Sequence, residues 1–508
     1  MLRTIRAFWH DQRGIALVLV AVTLPAIVGF SLLVIDMSRV NNLQNDLQKA
    51  ADSFSLAGAA ELDGLPGSWA RAERAMATLV DNESNFSTSG RFILTSGQPG
   101  GTARCNTAGN ISWCFLKAIP PTDGIRITAA NQASYLADAT QAVGEDETRF
   151  IQVKVTPEGF GTLFPVSFLP GGTNHSWTIG AVSTAGFTSG VCEYTPVFMC
   201  NPYEDTTITG GVTLEQAAQT RQYRRRQIKL RGDGSYLPGN FAFLASPFGN
   251  GANELEKMLA DSKPQNCYSR DGVDTEPGQN AGPVENGINS RFGINSSNYS
   301  DGPAVNVRKG AKNWDQYVKS NKVDYETDPT KGVGLERDSC QIAGNCTMMG
   351  GRMGAGDWNF ARYWAANHPT RAVPAALSGT GANLPTRYET YRYELDPDGN
   401  PATNDSIVGD ASVGGEKGNP PAGAGTPIST PDRRLLYGAI LDCNALQASG
   451  LKFSGRLTGI PVRRFASFFI TEPIRDGKDI FVELVDITGK GGNGTLDNYL
   501  RDEAQLYR

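Results

Sequence analysis

Eight cysteines, three histidines and one dense run of basic residues are the side chains of this 508-residue chain with the most evident chemistry. Cys105, Cys114, Cys192, Cys200, Cys267, Cys340, Cys346 and Cys443 form no CxxC pair. That spacing argues against a zinc module or a dithiol redox centre and suits disulfides in an oxidising compartment. Loop proximity suggests the pairs Cys105–Cys114, Cys192–Cys200 and Cys340–Cys346, which leaves Cys267–Cys443. His175 and His368 each stand alone in sequence, so a loop or packed role is expected for both, and cysteines held in disulfides offer no thiolate for cysteine–histidine catalysis.

Arg221, Arg224, Arg225, Arg226, Lys229 and Arg231 put six cations into 11 residues. Such a run suits anionic lipid headgroups or an acidic partner surface, or is simply a solvated face. The phosphate-cradling GxxxxGK[ST], the zinc-binding HExxH and the nucleophile-bearing GxSxG are missing from the sequence. Asp396-Pro-Asp398-Gly-Asn400 has a calcium-loop flavour, but its glycine is at the wrong offset and the twelfth position carries no glutamate, so a turn is expected. The expectation is a protein without catalytic residues or cofactor. One alternative is a binding protein in which Trp358, Tyr363, Trp364, Tyr388, Tyr391 and Tyr393 line a sugar or peptide groove.

The segments that position these groups begin at the amino terminus. Gly14 to Ile35, with Pro25 and Gly29 inside it, is a 22-residue stretch without charge. At 1.5 Å per residue it reaches about 33 Å, enough to cross a bilayer's hydrocarbon core. It is longer than a signal peptide's apolar region, and IDMSRV follows it where a cleavage site would stand, so an uncleaved anchor is expected. Arg3, Arg6 and Arg13 precede the span against a lone Asp11, which keeps residues 1–13 cytoplasmic and exports the bulk of the chain; Trp9 suits the interface. Beyond the span, Val40, Leu43, Leu47, Ala50, Phe54 and Ala57 recur every three or four residues. This stripe suits a partner helix or the body of its own domain. Small residues over 50–60 allow close packing, and Gly64, Pro66 and Gly67 end the helix.

Together, Arg13-Gly14, Pro25, Asp36, Leu47-Gln48, Ala50-Ala51-Asp52, Ala57, Ala59-Ala60 and Glu61 resemble the leader of TadE/G-like proteins of Flp pilus (tight adherence) assembly. The resemblance implies a pilin-like stem, half in the membrane and half in a globular head. It also implies a role with pilus subunits or platform proteins of that machinery, and with outer-membrane secretion components as further partners. Processed pilin-like subunits carry a glutamate five residues after the cleavage glycine, where this chain has Leu19, which points to the TadG-like branch. Many TadG-like proteins end in a von Willebrand A domain. The nearest match to its metal motif, Asp36-Met-Ser38-Arg-Val40, lacks the second serine. CEYTPVFMCNP, LPGNFAFL, VDTEPGQN, GINSRF, GDWNFARYW and ITEP resemble the C-terminal region of many TadG-like proteins.

The exported portion reads as mixed α/β. A second helix is expected over 68–80, and Ile151, Val153 and Val155 alternate with Gln152 and Lys154 as in a half-buried strand. Trp177, Ile179 and Ala181 do likewise, and further strands are expected at 435–441, 464–470 and 479–485. The expected divisions are a span at 14–35, a stem at 36–63, a β-rich pilin-like head at 64–188 and a loop-rich, disulfide-tied domain at 189–508. Within the last, 396–432 is expected to be a flexible insertion. The 58 glycines and 28 prolines suit long ordered loops, and a net charge of −5 gives no global basic field for nucleic acid.

Overall fold

The computed structural model describes residues 13–507, apart from 97–103, 120–143, 165–176, 232–239, 311–332, 409–417, 488–494 and shorter stretches between them. Arg3, Arg6, Trp9, Asp11 and His175 lie outside the described residues. The chain is mixed α+β and divides into two units, residues 1–188 with 502–508, and residues 189–501.

The first unit is built on one helix, α1, Arg13–Ala59, 47 residues long with Pro25 inside it. Its two halves face different surroundings. Val18, Leu19, Val20, Val22, Leu24, Ile27, Phe30 and Val34 are each more than half exposed. Leu43, Leu47, Ala50, Ala51 and Phe54, one helical stripe further on, are buried. They pack on a sheet of β3 (Cys105–Ala108), β4 (Ile111–Leu116), β5 (Phe150–Phe160) and β6 (Trp177–Cys192), antiparallel throughout. A hairpin of β1 (Asn82–Ser87) and β2 (Gly90–Leu94) lies beside α1. The stem stripe, offered in sequence as a partner-helix face, is therefore its own domain's core: Leu43, Leu47 and Phe54 join Ile151, Val153, Val155 and Ala181, with Val40 partly buried against them. Burial of three such side chains contributes on the order of 5 kcal/mol, which an open partner face would forgo.

Small residues allow this approach. A Cβ on Gly58 would come within 2.8 Å of Ile151 Cδ1 and 3.3 Å of Met76 Sδ. Ser55 and Ser183 share a buried hydrogen bond of 2.9 Å, which ties α1 to β6. The second helix, α2 (Ser68–Ala77), lays Trp69 flat on Phe115 at 5.0 Å, with its indole N–H donated to Thr148. The final strand, Leu500–Leu506, pairs with β6, and Tyr507 donates its N–H to Thr184. Residues 502–508 thus belong to the first unit, against the expectation that 189–508 forms one domain.

The second unit carries a seven-stranded sheet. Three of its strands are β12 (Leu435–Leu441), β13 (Arg464–Ile470) and β14 (Ile480–Ile487), and every residue in them is buried. Strands buried along their whole length mark a sheet covered on both faces. β7 (Val197–Cys200) runs parallel to β12, and β8 (Gln227–Arg231) pairs with the outer edge of β14. Gly438 lets β7 and β13 close on β12, since a Cβ there would meet Val197 and Phe468 at 2.7 Å.

Strand registry decides the disulfides. Cys105–Cys114 and Cys340–Cys346 are bonded, but Cys192 pairs with Cys267 and Cys200 with Cys443, not Cys192–Cys200 and Cys267–Cys443. Cys192 ends β6 directly opposite Cys267 on the antiparallel strand β10 (Cys267–Ser269), with Cα atoms 4.0 Å apart. Cys200 ends β7 opposite Leu441 of β12, and Cys443 begins the next short helix two residues on. Nearness in sequence lost to nearness across strands.

Part of the stretch 396–432, expected to be a flexible insertion, packs on the rest of its unit. Ile407 and Val408 are buried, Ile407 donates its N–H to Glu394, Gly418 accepts from Val307, and Ile428 bridges Ala304. Non-reduced peptide mapping of the native protein should recover Cys192 linked to Cys267 and Cys200 linked to Cys443. The pair Cys200→Ser with Cys443→Ser, which opens a 243-residue loop, should lower unfolding stability by about 3–5 kcal/mol.

Candidate functional site

Two places gather chemically capable groups, one in each unit. In the second unit, Glu394 on the helix Arg387–Leu395 accepts from Arg308 Nη1 at 2.5 Å, from the Tyr363 hydroxyl at 2.8 and 2.9 Å, and from Asn306. His368 Nε2 lies 2.8 Å from the same carboxylate. Burial raises the affinity of Glu394 for a proton, but Arg308, His368 and Tyr363 outweigh it and hold the carboxyl below its ordinary range. An acid, a histidine, a tyrosine and an arginine in contact could serve proton transfer. Here none is more than 2% exposed, so no substrate reaches them, and the cluster works as a polar clamp inside the core.

A second clamp sits beside it. Arg387 bonds Asp338 at 2.6 Å and Glu483 at 3.0 Å and donates to the carbonyls of Glu336 and Arg225. Arg291, Arg433 and Arg434 spend their guanidinium donors mainly on backbone carbonyls. Arg434 takes Ile470, Thr471 and Asn306, and Arg291 takes Leu259, Asp261, Arg433 and Leu435. Burial pulls Arg291 down to about 9 and Arg433 and Arg434 to about 10. Each planar fork of five donors satisfies several loop carbonyls that would otherwise be buried unpaired.

Five of the six cations of the basic run also have partners inside the unit. Arg221 ends the helix Leu214–Thr220 and lies 3.8 Å from Glu389. Arg224 bonds Glu389 at 2.5 Å, Arg225 is buried on the carbonyl of Trp358, and Arg226 donates to Gly354. Lys229 pairs with Asp479 at 3.1 Å, and Arg231 closes β8. The aromatic groove fails for a related reason. Trp358, Tyr363, Trp364, Tyr388 and Tyr391 are core residues and Tyr393 packs against them, so they line no open cleft. Asp398 is occupied by the turn it makes, accepting from Asn400 and Thr403; Asp396 and Asp405 lie nearby on the surface.

In the first unit residues 18–35 of α1 leave most of their apolar side chains exposed. Among the described residues α1 is the one helix long and apolar enough to cross a membrane. At its boundary stands Asp36, 4% exposed. Leu163 and Phe164, just past β5, donate their backbone N–H groups to its two oxygens at 2.9 and 2.7 Å. Arg39 reaches Asp36 Oδ1 and the carbonyl of Gly161, both at 3.3 Å, with its guanidinium 5.1 Å over the ring of Phe160. The aspartate noted in sequence as part of a metal motif is thus a carboxylate that pins a loop to the helix. Pro25, Ala26, Val28, Gly29, Leu33 and Phe164 line an apolar groove of about 510 Å³ beside it. Sequence reading marked Asp36, Pro25 and Gly29 but not the partner loop, which lies 127 residues away.

The polar clamp has a checkable consequence. Glu394→Gln should destabilise the protein by about 3–5 kcal/mol in chemical denaturation, because Arg308 stays buried without its counter-ion. The sign in pH follows from the depressed carboxyl. Its stabilisation is complete above the ordinary glutamate value of 4.5 and is lost as pH falls below that value through the depressed folded one. The wild-type unfolding midpoint should therefore drop more steeply with acid than that of Glu394→Gln.

No curated protein and no solved structure matches the chain. One family does, over the segment that contains the exposed half of α1, Asp36 and the buried stripe. Residues 14–61 match the family described as "Putative Flp pilus-assembly TadE/G-like", so that segment is similar to the TadE/G-like proteins.

Proposed function

We propose that this protein is a non-catalytic, membrane-anchored component of Flp/Tad pilus assembly, of the TadG-like branch, and acts as a scaffold at the cell envelope. In this reading residues 1–13 are cytoplasmic, α1 crosses the inner membrane once, and both units lie in the periplasm, where the disulfides form. The observation that carries the reading is the division of α1 within the family-matched segment: apolar and exposed over Val18–Ile35, core-packed over Leu43–Phe54. Because the stem stripe is consumed internally, contact with pilus subunits or platform proteins falls to the membrane half or to the outer surfaces of the two units.

A second reading is supported by the same geometry. A long helix half packed on an antiparallel sheet is also how a minor pilin would be built, with the exposed half stacking in the fibre. Leu19, in place of the glutamate expected of a processed subunit, favours the anchored factor.

Two measurements separate these. Intact-mass analysis of membrane and sheared-fibre fractions should find the unprocessed amino terminus in the inner membrane, whereas a chain beginning at Ile15 in the fibre would make it a pilus subunit. A photo-crosslinking residue at Val22, Phe30 or Val34 should give adducts with other membrane components of the machinery. The same residue at Leu43 should give none, since that side chain is sealed in the core. Adducts from Leu43 alone would reverse the assignment of faces.

A further inference from the structure

The loop pinned by Asp36 points along α1 toward the apolar end and not away from it. Phe164 lies against Gly29, where an added Cβ would touch its ring at 3.4 Å, and Gly29 is seven residues before Asp36. At 1.5 Å per residue the ring is level with a point about 9 Å inside the Ile35 end of the span. Leu163 beside it is 52% exposed, and the neighbouring helix surface consists of Phe30, Leu33, Val34 and Ile35, all of them exposed.

Two backbone donors beside that surface, and the carboxylate that faces them, are already satisfied. The N–H groups of Leu163 and Phe164 are held by Asp36, and the charge of Asp36 is met by those donors and by Arg39. An unpaired amide or carboxylate would be costly in hydrocarbon, and this arrangement pairs the N–H groups of Leu163 and Phe164 with the carboxylate of Asp36.

We infer that the segment Gly161–Phe164 is a second membrane contact, its Leu163 and Phe164 side chains lying in the acyl region of the outer leaflet against α1. The lipid bilayer is the occupant because the apolar surface of the loop is continuous with that of the span. Leu163, next to Phe164 in the same loop, would otherwise leave its apolar side chain in water beside that surface. The consequence is mechanical. A helix alone could slide and rotate in the bilayer, whereas a clamped loop at one side fixes the depth and azimuth at which the first unit is presented. The inference rests on the anchored reading above, and its test distinguishes the two.

The full-length protein has all eight cysteines in disulfides, so a single added cysteine can be spin-labelled selectively. Leu163→Cys, Val22→Cys and Ala376→Cys, all at exposed positions, would be labelled and reconstituted into vesicles of mixed phosphatidylcholine and phosphatidylglycerol. Collision rates with oxygen and with a water-soluble nickel chelate report depth. The oxygen-to-nickel ratio at 163 should be several-fold above that at 376 and approach that at 22.

A ratio at 163 equal to that at 376, with 22 still in lipid, overturns the loop insertion and leaves the anchor intact. Water accessibility at 22 overturns the anchored reading itself. Protection of 163 from both reagents would mean a protein partner covers the loop, and would also overturn the lipid assignment. Asp36→Ala in the Leu163→Cys background should shift 163 toward water while 22 is unchanged. No shift would show that the clamp does not hold the loop at depth.

Discussion

The first unit is organised on one continuous helix whose two halves carry different side-chain patterns. α1 runs from Arg13 to Ala59 through the boundary at Asp36, with Pro25, which has no N–H to donate, in its first half. What changes is the side-chain pattern, from apolar on all sides to a single stripe. The uniform half must be covered by something as apolar as itself. The striped half can bury a core only if a sheet lies on that side, and β5 and β6 supply it. Asp36 is the seam. A buried carboxylate is costly unless it is paired, and the structure gives Asp36 two backbone donors and an arginine, so the charge becomes the fastening for a distant loop.

The second unit meets a different constraint. Its sheet is hydrophobic through its middle strands, but long glycine- and proline-rich connections surround it and carry many backbone carbonyls with no ladder to join. Buried guanidinium groups close that account. Arg291, Arg308, Arg387, Arg433 and Arg434 are each at most 1% exposed, and each gathers carbonyls or carboxylates from segments far apart in sequence. Lysine could not replace them, because a point charge lacks the planar set of donors. The two long-range disulfides act on the same segments by covalent means. Groups that might have suggested catalysis, His368 with Glu394 above all, are part of this internal fastening.

Much of this was legible along the chain. An uncharged stretch of bilayer length, a stripe at helical spacing and strands of alternating or continuous apolar residues each report a local period, and local periods survive in one dimension. The outer face of α1, the buried stripe and the strands Leu435–Leu441 and Arg464–Ile470 could be read in this way. The residues of the junction were half legible: Asp36, Pro25 and Gly29 stand out in sequence, while Leu163 and Phe164 look like any loop.

The sequence by itself determined that one end of the protein is a helix fit for a membrane, that the remainder folds with long loops, and that the cysteines could bond. Only the tertiary structure decided which ones do. Cys192 finds Cys267 and Cys200 finds Cys443 across separations of 75 and 243 residues, because strand registry brings those ends together. In the same way a run of six cations, read alone, could face water or a partner. The helix Arg387–Leu395, the residue before β14 and the loop 354–358 turned most of those charges inward to pair with Glu389, Asp479 and backbone carbonyls. Spacing along the chain states what a side chain could do, and the free energy of desolvating it is set by neighbours that the chain brings from far away.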